Sequence, residues 1–481
     1  MPLPRPRCLA AAPSLGRILE VALFLRVAAA VAVEWQVRRV GAGAGTPRVC
    51  LFPDAEYYWT LARTICLGAP YEILEWGDIP HFALRTPGYP AFLAACQSAF
   101  GERPLAARLV QAALGMLSVW LVHRLTREVL GGAGGGPVAG ESGGPGPGGP
   151  RPWTVPDVAA LLAAIHPYSV LMSALLLSEA AFVPLMLASL WALAAAANRV
   201  RGEAGGPPAG RAGPGSHGRR TEPAPTGGVP RGSGLLLGLA AGCASGLAVL
   251  VRPSWALSIP AMIVGFAAIA RGRGQGGRGA RRPAAIVGLA MALGVVLVMS
   301  PWWVRNWGIY GRFIPTAVWM GASLYDGLNP SATGASDMAF LADPDVWPLD
   351  ELGQDRLLTR RALAFAAGHP GRALILAFVK LGRYWSPWPN AEGLRSLGPA
   401  IGGTILEGPI LAAIILGLWA RRRDLRSWVF LAGPLLYFCA LHLAFASSMR
   451  YRIPAEVPAM GLAAVGVEAW CRRRAGVDAA G

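Results

Sequence analysis

The feature that most constrains this 481-residue chain is the recurrence of apolar runs about as long as a membrane is thick. Such runs lie near Leu15 to Val33, Pro104 to Val122, Val155 to Ala174, Glu179 to Ala197, Leu235 to Val251, Trp255 to Ala270, Ile286 to Trp302, Ile401 to Ala420, Trp428 to Phe445 and Pro454 to Trp470. Each approaches the length a helix needs to cross a hydrocarbon core of roughly 30 Å. Inside lipid the backbone must satisfy its own hydrogen bonds, which leaves helices for a chain with runs of this length. The sequence predicts an all-α polytopic membrane protein of about ten transmembrane helices, forming one integral-membrane domain over residues 1–481. Two shorter runs, Gly88 to Phe100 and Ala373 to Trp385, have the length of interfacial or re-entrant segments.

Charge orients the spans. The formal net charge is +17 although only 15% of residues are charged. In a soluble protein that balance would suggest nucleic acid; here the arginines cluster between apolar runs, so it reads as a topology signal and implies no nucleic-acid partner. Ten crossings place Arg124 and Arg127, the linkers 131–152, 198–232 and 272–280, Arg421 to Arg426 and the terminal "CRRR" in the cytoplasm. The linkers are rich in Gly and Pro and cannot cross lipid. Two large outer loops remain, 34–103 and 304–399, each ending near one of the short apolar runs. The first run has the polarity of a signal peptide, but Arg17, Glu20 and Arg26 interrupt it and no small-residue cleavage site follows, so an uncleaved span is expected. Seven cysteines form no CxxC or zinc spacing; Cys50 and Cys66 share the first loop, either as a pair or as two thiols.

On this topology several ionisable groups gather at the outer face. "FPDAEYYWTLA" holds Asp54 and Glu56, and Asp54, Tyr58 and Ala62 share one helix face. Asp54 could take a proton from a hydroxyl or simply cap the helix that follows Pro53. Asp78, His81 and Arg85 follow in the same loop. Arg252, Arg305 beside Asn306, Arg450 and Arg452 stand at outer span ends, against the usual bias, where a cation near hydrocarbon is costly without an anion. Guanidinium forks fit phosphate, so a lipid phosphate is the candidate partner; snorkelling to ordinary membrane lipid is the alternative. Glu179 begins a span opposite "IHPYS", suited to a helix start or to substrate contact. Asp326 and Asn329 suit turns, and Trp302, Trp303, Trp307 and Trp319 suit an interfacial belt or sugar stacking. No HxxxH or DxD pattern marks a metal, and a divalent cofactor is left open.

In chain order, "DAEYYWTLA", "RTPGYPAFLA", "LLSEAAF", "GLAVLVRP", "PWWVRNWGIYGRFIP" and "RYRIP" resemble the C-type glycosyltransferase superfamily, which uses polyprenyl-phosphate sugars. The likeness is to bacterial relatives of the protein O-mannosyltransferases and of the aminoarabinose transferase acting on lipid A, and it covers nearly the whole chain. It implies that Asp54 is the catalytic base and that Arg85 contacts the lipid phosphate. Leu84 departs from the aminoarabinose transferase, which has Glu before that basic residue, and Ala55 replaces an acid that often follows the loop-one Asp. The expected substrate-binding set is Arg85, Tyr58, Asp78, Glu179, Arg252, Arg305, Asn306, Arg450 and Arg452. The expected reaction passes a sugar from a polyprenyl-phosphate donor to a hydroxyl of a protein, lipid or glycan, with inversion, at the periplasmic or outer face of a bacterial plasma membrane. No soluble acceptor-binding module is expected after Trp470. The rival reading is a carrier or flippase for a polyprenyl-linked or other anionic substrate.

Overall fold

The computed structural model describes residues 12–44, 52–74, 79–131, 152–204, 233–271, 281–390 and 397–474. The Gly- and Pro-rich linkers, Cys50 and Asp78 lie outside the described residues, save the ends of the linkers. Among the described residues there are sixteen α-helices and no strand. The first is α1 (Leu15–Ala44), followed by α2 (Pro53–Cys66), α3 (Gly88–Phe100) and α4 (Pro104–Leu130). Next come α5 (Val155–Ile165), α6 (Pro167–Ala174), α7 (Glu179–Ala204), α8 (Ser233–Val251), α9 (Ser258–Arg271) and α10 (Arg281–Tyr310). Then follow α11 (Met320–Gly327), α12 (Glu351–Gly368), α13 (Pro370–Tyr384) and α14 (Leu397–Ala420). A π-helical turn at Ser427–Ala432 leads into α15 (Gly433–Ala444), and α16 (Met449–Arg474) closes the bundle.

Seven helices are long and apolar enough to cross a membrane, and up to nine spans result if each of two bent pairs counts as one. The protein is an all-α polytopic membrane protein. Helices α1 and α16 miss that test because they carry charge, but some of these charges turn inward: Arg26 is buried on α1, and Arg452 and Glu456 on α16. The run Val155 to Ala174 is two helices bent by 54° where Pro167 removes a backbone donor. Helices α12 and α13 meet at 106°, a hairpin within the second large loop.

Lipid supplies no apolar drive between helices, so close backbone packing must hold them. The tightest contacts fall on glycine. A Cβ on Gly242 of α8 would stand 2.0 Å from the Met291 carbonyl oxygen of α10, and one on Gly417 of α14 would stand 1.8 Å from that of Leu462 on α16. Outward, Leu236, Val264, Leu289 and Ile405 are left exposed, as lipid-facing positions should be.

Candidate active site

The site is built around the strap between α2 and α3. Ile73 and His81 form an antiparallel bridge, and several backbone groups of the strap bond to distant parts of the chain. Glu351, at the head of α12, accepts the N–H groups of Phe82 (2.9 Å) and Ala83 (3.1 Å) and the hydroxyl of Tyr310. Arg305 donates to the carbonyls of Phe82 (3.0 Å) and Tyr71 (2.7 Å), and Val318 N–H to that of Ala83 (2.8 Å). Burial pushes the Tyr71 hydroxyl above its ordinary range, which suits its role as donor to the Arg85 carbonyl. At the strap's end, Gly88 lies so near α8 that a Cβ would stand 2.6 Å from the Leu250 carbonyl. That contact packs the end of the strap, three residues after Arg85, against the end of α8, next to Arg252 in sequence.

Helix α2 starts with Phe52 in the cap position, where no side chain caps, and Pro53 in the first turn. Asp54 is therefore two positions past the cap. Its carboxylate points instead to two guanidiniums, Arg85 Nη2 at 3.3 Å from Oδ1 and Arg450 Nη1 at 3.5 Å from Oδ2. Arg85 also lies over the Tyr58 ring at 4.7 Å, and Tyr58 meets Tyr89 of α3 edge-on. The second carboxylate is Glu179, the first residue of α7, placed where a helix start favours an anion. Its Oε1 receives Arg450 Nε at 2.8 Å and Arg252 Nη1 at 3.1 Å. Exposure separates the two acids: the Asp54 side chain is 45% exposed and that of Glu179 is 1% exposed.

Three guanidiniums thus face two carboxylates, so the cluster carries one formal positive charge in surplus. The arrangement can take an anion of single charge. It does not fit a divalent cation, because each carboxylate is already paired with two arginines and the surplus charge repels it.

No family model matches the sequence, and no curated protein matches it. Among solved structures the chain is similar to the archaeal oligosaccharyltransferase AglB from Archaeoglobus fulgidus in complex with an inhibitory peptide and a dolichol-phosphate. That match has a TM-score of 0.48 and 14% identity, over 97% of this chain and 52% of the other. It is also similar to ArnT from Cupriavidus metallidurans bound to undecaprenyl phosphate, with a TM-score of 0.39 and 14% identity, over 97% of this chain and 80% of that one. The chain spans about half the length of the archaeal enzyme. At these scores the likeness stops at the course of the helices.

The fold brings together Asp54, Tyr58, Arg85, Glu179, Arg252 and Arg450 from the sequence-predicted set. It gives others different surroundings. Arg305 and Asn306 are bonded to each other (2.9 Å), and the guanidinium holds strap carbonyls. Arg452 faces away from Arg450 into the bundle, with its guanidinium at 2.9 Å from Glu407 Oε1 and 2.5 Å from Glu456 Oε1, and donates to the Tyr384 and Ser386 carbonyls. All three of these side chains are fully buried. His166, at the α5–α6 break, puts Nε2 at 3.3 Å from Glu407.

Among the described residues, His166, Glu407 and Glu456 form the one group whose ligand atoms lie close enough together to hold a metal. They do not fit one. His166 Nδ1 accepts the Ser169 N–H at 3.1 Å, so the ring proton resides on Nε2, and Arg452 already pairs with both carboxylates. Of the lesser candidates, Asn329 accepts the Ser331 N–H in a turn, whereas Asp326, inside α11, accepts that of Asp337 eleven positions on. Trp302 and Trp303 donate to the Thr316 and Pro315 carbonyls, and Cys66 is an exposed free thiol. Sequence reasoning missed Glu351, Glu407 and Glu456. The last two had a visible signal, an acid inside an apolar span.

Proposed function

We propose that this protein transfers a sugar from a polyprenyl-phosphate donor to an acceptor hydroxyl at the outer face of a bacterial plasma membrane. The observation that carries the reading is the surplus-positive cluster of Arg85, Arg252 and Arg450 around Asp54 and Glu179. A donor phosphodiester has one negative charge and matches that surplus, and guanidinium forks give it paired hydrogen bonds. Asp54 takes the hydroxyl proton as the acceptor oxygen attacks the anomeric carbon. The bond from that carbon to phosphate breaks with inversion, and the growing phosphate charge is held by Arg85 and Arg450 in a site of low dielectric. The arginines do the electrostatic work a metal would do, so no divalent cation is needed. The membrane lipid around α3 and α13 would receive the polyprenyl tail.

The test uses vesicles with the outer face exposed and labelled polyprenyl-phosphate sugar. Label should leave the lipid for an acceptor and leave bare lipid phosphate behind. Label that changes leaflet while still attached to its lipid would instead support a carrier. One observation favours that second reading: the helix break at His166 stands beside buried acids, a device carriers use near mid-membrane. It ranks second because Arg452 closes that cluster on itself.

A further inference from the structure

Arg450 is, among the described residues, the side chain that pairs with both carboxylates of the site. Its two ends are held unequally. Nε is 2.8 Å from the buried Glu179, whereas Nη1 is 3.5 Å from the half-exposed Asp54. Exposed ion pairs are weak and buried ones resist breaking, so an arriving anion competes with Asp54 and not with Glu179. Asp54 meanwhile has both oxygens turned to guanidiniums, which is a poor arrangement for accepting a proton from a hydroxyl.

We propose that Arg450 is an exchange residue: a lipid phosphate takes its Nη end, and that of Arg85, from Asp54, and this release makes Asp54 available as the base. Glu179 is the positioning residue that keeps Arg450 and Arg252 in place while the exchange occurs. The idea rests on the lipid-phosphate reading of the site and adds an order to it, donor before acceptor. Charge balances at each stage. Three guanidiniums, Asp54, Glu179 and a singly charged phosphodiester sum to zero. After transfer Asp54 holds the acceptor proton, the carbon–oxygen bond to phosphate is broken, and the phosphomonoester carries two negative charges, so the sum is again zero.

The experiment titrates sugar-free undecaprenyl phosphate onto the full chain in nanodiscs, with thermal unfolding as a folding control. Removing the competitor by Asp54→Asn should tighten binding by roughly twofold to fivefold, the worth of a partly exposed ion pair. The gain should shrink when Asp54→Asn is made on an Arg450→Gln background, where Asp54 competes only for Arg85, and Glu179→Gln alone should weaken binding. Unchanged or weaker binding by folded Asp54→Asn overturns the exchange, as does a gain that is undiminished without Arg450. If wild type fails to bind the lipid, or if Arg85→Gln and Arg450→Gln bind it as wild type does, the lipid-phosphate reading itself falls and takes the exchange with it.

Discussion

Arg450 and Arg452 are two residues apart on α16, yet their surroundings are opposite. Arg450 is 31% exposed and joins two other guanidiniums over two carboxylates, whereas Arg452 is fully buried and is the single guanidinium over two. The formal count is positive at the first cluster and negative at the second. One can therefore receive an anion, and the other repels one. Arginines close together at one end of a helix are thus not interchangeable candidates for phosphate: the number and burial of the acids around each decides what it does.

The largest effect that could break this contrast is on folding. Arg452→Ala leaves two buried carboxylates facing each other and should cost about 3–5 kcal/mol, seen as lost monodisperse yield and a lower unfolding temperature in detergent. Arg450→Ala should keep the fold, and the reverse outcome would exchange the two roles. Next is Asp54→Asn, which retains shape but offers no proton acceptor. Initial rates should drop by roughly 10²-fold or more with little change in unfolding temperature. Smaller again is the loss of the planar fork: Arg85→Lys and Arg450→Lys should each slow transfer by about tenfold, while the control Arg421→Lys, in the turn after α14, behaves as wild type. The smallest expected effect is that of chelation. EDTA should leave the rate unchanged; a rate lost to EDTA and restored by Mn²⁺ would put a cation among groups that the charge count assigns to arginine.

The helical class was legible in the sequence because a membrane-length apolar run has few other outcomes, and the run Gly88 to Phe100 is the helix α3 that forms. Asp54, Arg85, Glu179, Arg252 and Arg450 were legible as charges out of place. Their pairing was not, since Arg450 meets Glu179 across 271 positions and nothing local encodes that. The same limit hid Glu351, whose grip on Phe82 spans 269 positions and fixes the strap that carries Arg85. Arg452 misled for a related reason. In "RYRIP" both arginines look alike, but two positions along a helix turn a side chain toward the opposite face, so one reaches the site and the other the core.

The most direct measurement is a cryo-electron-microscopy structure of the full chain with undecaprenyl phosphate. The account predicts phosphate density within hydrogen-bonding distance of Arg85 and Arg450, near Arg252, with Asp54 turned away from both of its guanidinium partners and Glu179 still paired to Arg450. Phosphate resting at Arg305 or Arg452, or at the headgroup level with the Asp54 pairs intact, would contradict it.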